Sequence, residues 1–235
     1  MKRVLFLSPQ PFFEWRGSPI RVSFNVMALA KMGFNVHLLT LPFGDDREIP
    51  GVKIIRTRNV PGLKTIPIGP SFPKMIFDLA LLFKGISLIR KHRYEFIHGI
   101  EDAGFLAVLL AKYSGSYAIF EKHSDPSSYR KGPLRNILMA CYSAVEKWTA
   151  ERSDAVIGTG PGLAGQLEQM RPRGSVHCIC DIPSSLREPD PLKTKDIRKR
   201  LLSGSGDYSK DRIIASYVGS FAVYQGVDLM FDAII

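Results

Sequence analysis

The feature that most restricts the fold is the unit at the start of the chain: an apolar run, a loop rich in proline, then a helical stretch. Residues 3–8 read RVLFLS, apolar from Val4 to Leu7 without a break. A strand with one wet face would alternate, so this run predicts a parallel strand buried on both faces. Pro9, Pro11 and Gly17 interrupt regular structure after it. Ser18 is placed to cap a helix and Pro19 to take its first position. Ile20, Val22, Phe24, Val26, Met27 and Ala30 make that helix mostly apolar. Ligands of open α/β sheets bind beyond the carboxyl ends of the strands, so the loop carrying Gly17, Ser18 and Arg21 is the first place to look for function.

The unit recurs along the chain. Strands are predicted at residues 34–40 (FNVHLLT), 52–57, 94–100 (YEFIHGI), 116–122 (SYAIFEK), 153–157 (SDAVI) and 174–182, and helices at 74–92, 102–113, 133–152 and 163–170. Alternation of this kind defines the α/β class, with a doubly wound parallel sheet of Rossmann-like type. Gly33 reads as the left-handed cap of the first helix. Residues 59–73, rich in proline and glycine, read as an ordered surface excursion, and residues 127–132 as a mobile loop. From Pro183 the character changes: Pro189, Pro191, a charged run and the sequence SGSG predict a connection holding one short helix. Residues 212–219 (RIIASYVG) then read as a fresh strand and 226–235 as the opening of an apolar helix. The expected organisation is an N-terminal domain at 1–186, a linker at 187–211 and the truncated start of a second domain at 212–235.

A hydrophobic content of 45% supports a substantial core. The net charge of +10 favours anionic partners, such as nucleotide phosphates or acidic lipid headgroups, over a neutral surface. An ordinary solvated surface with excess lysine and arginine is the competing reading. No nucleic-acid reader motif and no regular interleaving of aromatic and basic residues is present, so nucleic acid is not an expected partner. The cysteines, Cys141, Cys178 and Cys180, are odd in number, which argues against a disulfide framework and fits a reducing cytoplasm. Cys178-Ile179-Cys180 alternates as a strand does, putting both thiols on one face, and a buried structural pair is expected there. No metal site is expected, because further ligands are missing around it.

The chain shows no secretory signal and no uninterrupted apolar run of about 18 residues, so a cytoplasmic location is expected. The helix at 74–92 is apolar beyond a single stripe, with Lys74, Lys84, Arg90, Lys91 and Arg93 supplying cations. It is either sandwiched between layers or presents a basic, apolar face to the inner surface of a membrane, with those five residues as contacts.

Candidate site residues carry two readings each. Gly17 permits a ligand close to the backbone at a helix start, or is an ordinary turn. Arg21 reaches a phosphate from the first helical turn, or is a solvated charge. His123, beside Ser124 and Asp125 at a strand's carboxyl end, is placed to bond a sugar or orient an acceptor hydroxyl, or is a loop histidine tied to backbone. His98 holds a similar position beside Gly99, where packing is the rival explanation. Glu101 and Asp102 are a pair of acids suited to general-base work or Mg²⁺, or one or both cap the following helix, which is the favoured reading. Phe12, Phe13 and Trp15 form either an acceptor or lipid platform, or an aromatic loop tucked into the fold.

Several separated stretches resemble family 4 glycosyltransferases. They are residues 3–8 with Gly17-Ser18-Pro19-Ile20-Arg21; residues 28–36 (ALAKMGFNV); Phe96-Ile97-His98; Glu121-Lys122-His123-Ser124-Asp125; Glu146 with residues 153–157; and residues 217–221 with 224–230. Asp181-Ile182-Pro183-Ser184-Ser185 departs from the family's usual proline–asparagine–glycine turn. The resemblance implies the GT-B architecture of two facing Rossmann-like domains, this chain being the acceptor-side domain plus the opening of the donor domain. It implies sugar transfer from a nucleotide-diphosphate sugar to the hydroxyl of a glycan or lipid-linked acceptor, in cell-envelope glycan or glycolipid synthesis. It further implies a retaining reaction without obligatory metal or other cofactor. It casts His123 as the catalytic residue near the transferred sugar and Gly17, Ser18, Arg21, His98 and Asp125 as substrate-binding. The family's paired glutamates, which grip the donor, fall past residue 235, so the chain alone is expected to be inactive. A peripheral membrane module and a nucleotide-sugar epimerase of similar fold are the alternatives. The apolar segment 212–235 is expected to promote self-association.

Overall fold

A computed structural model describes residues 2–63, 72–125, 133–171, 174–181, 188–202, 214–217 and 226–233. The chain divides into two units, Met1–Asp181 and Ile182–Ile235. The first contains β1 (Arg3–Ser8), α1 (Gly17–Lys31), β2 (Asn35–Thr40), β3 (Val52–Arg56), α2 (Phe72–Lys91), β4 (Phe96–Ile100), α3 (Ala103–Ser114), β5 (Tyr117–Lys122), α4 (Pro133–Arg152), β6 (Ala155–Gly158), α5 (Pro161–Met170) and β7 (Val176–Cys178). The second contains α6 (Pro191–Leu202) and α7 (Val227–Asp232).

The seven strands form one sheet in the order β3-β2-β1-β4-β5-β6-β7. Every neighbouring pair is parallel. The chain leaves β1 toward β2 and β3, then returns to β4 on the other side of β1. That reversal opens a crevice beyond the carboxyl ends of β1 and β4, the ligand position of such sheets.

The unbroken apolar runs are explained by burial on both faces. Leu5 and Leu7 of β1, with Leu39 and Ile97, pack under Phe77, Leu81 and Leu88 of α2 and Leu106 and Leu110 of α3. Phe6, Val36 and Leu38 face the other way, against Val22 and Val26 of α1. A third cluster joins Phe120, Ala150, Val156 and Leu167. Gly99 lets α3 approach β4 closely, since a Cβ there would collide with the backbone of Ala103 and Gly104. Gly99→Ala is expected to lower stability by roughly 1–3 kcal/mol through forced separation of helix and strand, measured by urea unfolding.

Some sequence expectations change. The last strand of the first unit is short, and β7 lies at the sheet edge with His177 and Cys178 exposed. Helix α1 begins at Gly17, with Arg16 as its N-cap residue and no side-chain cap bond. Ser18 lies inside the first turn, where its hydroxyl is engaged elsewhere. Asp102 precedes α3 but makes no capping bond, and Glu101 adopts a left-handed φ of 50°. The excursion at 59–73 and the loop at 127–132 fall largely or wholly outside the described residues. Of the strand expected at 212–219, the described residues 214–217 form no ladder. In the second unit Asp190 caps α6, its Oδ1 accepting from the amides of Leu192 at 2.9 Å and Lys193 at 3.4 Å. No described helix is long and apolar enough to cross a membrane.

Candidate active site

Successive residues of a strand point to opposite faces, and the end of β5 uses this to place two adjacent charges. Lys122 turns toward α4, where its ammonium donates to both carboxylate oxygens of buried Glu146 at 2.8 Å. Glu121 turns toward α1 and is wholly buried.

Among the described residues, four side chains donate to Glu121. Arg21 Nε reaches Oε1 at 2.5 Å and His123 Nε2 reaches the same oxygen at 3.0 Å. His98 Nε2 meets Oε2 at 2.8 Å. Asn25 Nδ2, one helical turn beyond Arg21, lies 3.2 and 3.1 Å from the two oxygens. Burial by itself would raise the Glu121 carboxyl, but the hydrogen bonds and charges of His123 and His98 hold it well below its ordinary value. An ionised carboxylate only accepts, so both imidazoles donate through Nε2. In the neutral ring this leaves His123 Nδ1 as acceptor for the hydroxyl of Ser18, at 3.1 Å.

The turn beneath His123 is fixed by Glu101. Its Oε1 accepts from the His123 amide at 2.9 Å and from Ser124 Oγ at 3.1 Å. Burial pushes the Glu101 carboxyl up. The acid expected to cap a helix therefore supports the histidine loop instead.

Arg21 is neither a solvated charge nor a free anion donor. It is 8% exposed, and its outer nitrogens hold the chain after β7: Nη1 donates to Asp181 Oδ1 at 2.8 Å and Nη2 to the carbonyl of Ile179 at 2.7 Å. Despite desolvation, its bonds to Asp181 and Glu121 raise its pKa further. His98 is also interior, 5% exposed and stacked on Phe6 with ring centroids 4.3 Å apart. It supports Glu121 from behind. Asp125 is bonded to Gln166 of α5 at 2.9 Å. Gly17 is exposed, and nothing lies within 4 Å of where its Cβ would be. Of the aromatic trio, Phe12 and Phe13 are tucked into the fold, whereas Trp15 is 79% exposed with its ring edge-on to Phe13.

Glu121 was not singled out by sequence as a site residue, nor were Asn25 and Asp181. The usable signal was a strand otherwise built for burial on both faces that ends in Glu-Lys. Two charges in such a place need interior partners.

Lys74 does not belong with the exposed cations of α2. Its side chain is 18% exposed and paired with Asp102, beside Asp78. Burial and the Asp102 charge push the Asp78 carboxyl from 3.8 to about 7, with Lys74 opposing. Because the folded value is raised, the protonated form favours folding, and stability should fall as pH rises from about 4 to about 7. Asp78→Asn should flatten that slope in chemical denaturation across the same window. Lys84, Arg90, Lys91 and Arg93 are exposed. Among the described residues no group of three or more side chains is arranged to hold a metal ion.

A parallel sheet whose polar cluster sits beyond its switch point belongs to the Rossmann-like class. Within that class the chain belongs to Glycosyltransferase Family 4, whose family model matches residues 25–180. Among solved structures it is similar in fold to sucrose-phosphate synthase from Thermosynechococcus elongatus, at 18% identity over 87% of this chain and 98% of that one, with a TM-score of 0.56. Anabaena HepE in complex with UDP-glucose is similar at 12% identity, covering 100% of this chain and 57% of that one, with a TM-score of 0.61. UGT2 of Phytolacca americana is similar at 12% identity, covering 83% and 54%, with a TM-score of 0.56. The chain thus spans little more than half the length of the HepE and UGT2 chains. No curated protein matches it.

Proposed function

We propose that this chain is the acceptor-side part of a glycosyltransferase that moves a sugar from a nucleoside-diphosphate donor to an acceptor hydroxyl, in glycan or glycolipid synthesis of the cell envelope. The observation that carries the reading is the line Glu121–His123–Ser18 at the carboxyl edge of the sheet. Glu121 fixes the imidazole, and Nδ1 is presented to a hydroxyl. In the free chain that hydroxyl is Ser18's; in the working enzyme a substrate hydroxyl takes the place, aligned for attack or held near the transferred sugar. Open space at Gly17 admits the ligand beside it. Arg21, Asn25 and His98 act through Glu121, and Asp125 with Gln166 borders the same edge.

In this reading residues 1–186 form the acceptor-side domain, 187–211 the linker and 212–235 the opening of the donor domain. The similarity to HepE, which binds UDP-glucose, supports a nucleotide-sugar donor. The test is sugar transfer by the chain completed with a donor-binding domain, against a panel of nucleoside-diphosphate sugars. Release of nucleoside diphosphate that depends on acceptor is expected, with none from the chain alone. No release from any donor overturns the proposal.

A docking role on an anionic membrane is favoured by one face of α2. Met75, Leu79 and Phe83 succeed one another at i+4 spacing and are 63%, 54% and 68% exposed. Arg90 continues the line, Lys84, Lys91 and Arg93 flank or follow it, and the acid of this helix, Asp78, is turned inward. Apolar insertion combined with several cations is the pairing that stable peripheral attachment needs. Co-sedimentation with vesicles containing acidic lipid should exceed that with neutral vesicles at low salt and drop severalfold in Phe83→Asp. Equal binding to both vesicle types removes this role.

A further inference from the structure

The two thiols expected to be buried are both exposed, and their sulfurs lie 3.7 Å apart on one side of the edge strand. Between them stands Ile179, whose backbone is held at both ends: its amide donates to the carbonyl of Gly158 at 3.0 Å and its carbonyl accepts from Arg21 at 2.7 Å. The next residue after the pair, Asp181, takes the other arm of Arg21. The dithiol therefore brackets the short segment by which α1 grips the end of the first unit.

We propose that Cys178 and Cys180 are a reversible oxidation site, closing to an intramolecular disulfide by exchange with a low-molecular-weight disulfide, and that closure loosens the grip of Arg21 on Ile179 and Asp181. The steps balance without any other reagent. The Cys180 thiolate attacks one sulfur of the small disulfide and expels a thiolate, leaving a mixed disulfide. The Cys178 thiolate then attacks the Cys180 sulfur and expels the second. The protein loses two thiol protons and two electrons; the small disulfide becomes two thiols. Cys178 stands 3.7 Å from the Cys180 sulfur and is thereby placed for the second, intramolecular attack.

The coupling follows from chain geometry. In an extended strand, residues i and i+2 stand about 6.6 Å apart, at the upper end of the range that a disulfide spans and beyond its usual Cα separation of about 5.5–6 Å. Closing the bond shortens the segment and turns the Ile179 peptide away from its two partners. An exposed bond under such constraint belongs to the readily reduced, reversible class.

The test uses the full chain carrying Cys141→Ser, equilibrated with mixtures of oxidised and reduced glutathione, quenched with acid, alkylated and weighed intact. Both thiols are expected to disappear together, with the mass of two hydrogens lost. Either single variant, Cys178→Ser or Cys180→Ser, should instead retain one glutathione adduct. Persistent glutathione adducts without ring closure, or covalent dimers in place of the ring, overturn the site. Asp181→Asn tests the coupling, because it takes the charge from one part-buried contact that closure must break. By linkage it should favour the disulfide by roughly two- to fivefold in the exchange equilibrium. An unchanged equilibrium overturns the link to Arg21 while leaving the modification site standing. The site does not rest on the glycosyltransferase reading, since mass and exchange equilibrium are read without turnover.

Discussion

Replacing Glu121 with glutamine should destabilise the first unit by roughly 3–5 kcal/mol, read as a lower midpoint in urea with an unchanged slope. The carboxylate is wholly buried and takes hydrogen bonds from Arg21, His98, His123 and Asn25. Glutamine keeps the volume and removes the charge, leaving the Arg21 guanidinium buried with Asp181, itself 73% exposed, as its one counter-charge among the described residues. Domains of this size are stable by only about 5–15 kcal/mol, so the loss is a large share of the total. Asp181→Asn is the contrast: its exposed pair should cost less than about 1 kcal/mol. The pH dependence has a definite sign. Because the Glu121 value is depressed in the fold, its contribution is full above the ordinary 4.5 and fades as pH falls through the lower folded value. The gap between wild type and Glu121→Gln should therefore close in acid. A gap under about 1 kcal/mol at neutral pH would mean that the four donors do not depend on this carboxylate.

Replacing His123 with alanine should lower turnover of the assembled transferase by about 10²–10⁴-fold, the usual range for a group that takes or orients a proton. The variant loses one of the donors to Glu121 but keeps Arg21, His98 and Asn25, so it should still fold. Two comparisons separate a direct role from a structural one. Ser18→Ala removes the hydroxyl that occupies Nδ1 in the free chain and should leave turnover within about tenfold, since substrate replaces it. His123→Gln retains hydrogen-bonding capacity and should recover KM more than kcat. Loss of KM alone in His123→Ala, with kcat intact, would assign the residue to binding rather than to the reacting atoms.

The layered parallel sheet was legible in the sequence because double-sided burial leaves a clear mark. Val4 to Leu7 are apolar without alternation, and the structure buries Leu5 and Leu7 under α2 and α3 and Phe6 under α1. The edge strand was misjudged for the complementary reason: Cys-Ile-Cys has the same apolar character as a core strand, and composition does not reveal that a strand lacks a neighbour on one side. Helix α2 posed a similar problem. With apolar residues around most of its circumference, nothing in its periodicity shows that Lys74 turns inward to Asp102 while Leu79 and Phe83 turn out.

The site was half legible. Gly17, Ser18, Arg21, His98 and His123 were each marked by position at a strand end or helix start. What joins several of them, Glu121, lies 100 residues from Arg21, and no local pattern encodes a partnership at that distance. Arg21 and Asn25 share one face of α1 at i+4 spacing, yet only the folded sheet shows what that face meets.

The opposed directions of Glu121 and Lys122 have a consequence for folding fidelity. A slip of β5 by one residue exchanges the two faces of a strand. The carboxylate would then meet Glu146, and the ammonium would meet Arg21, setting like charges together in two dry places at once. Apolar residues on both sides of the sheet tolerate such an error, because either face offers them a greasy neighbour. These two adjacent charges do not, and so the end of β5 acts as a proofreading mark that rejects the wrong register where hydrophobic packing is blind to it.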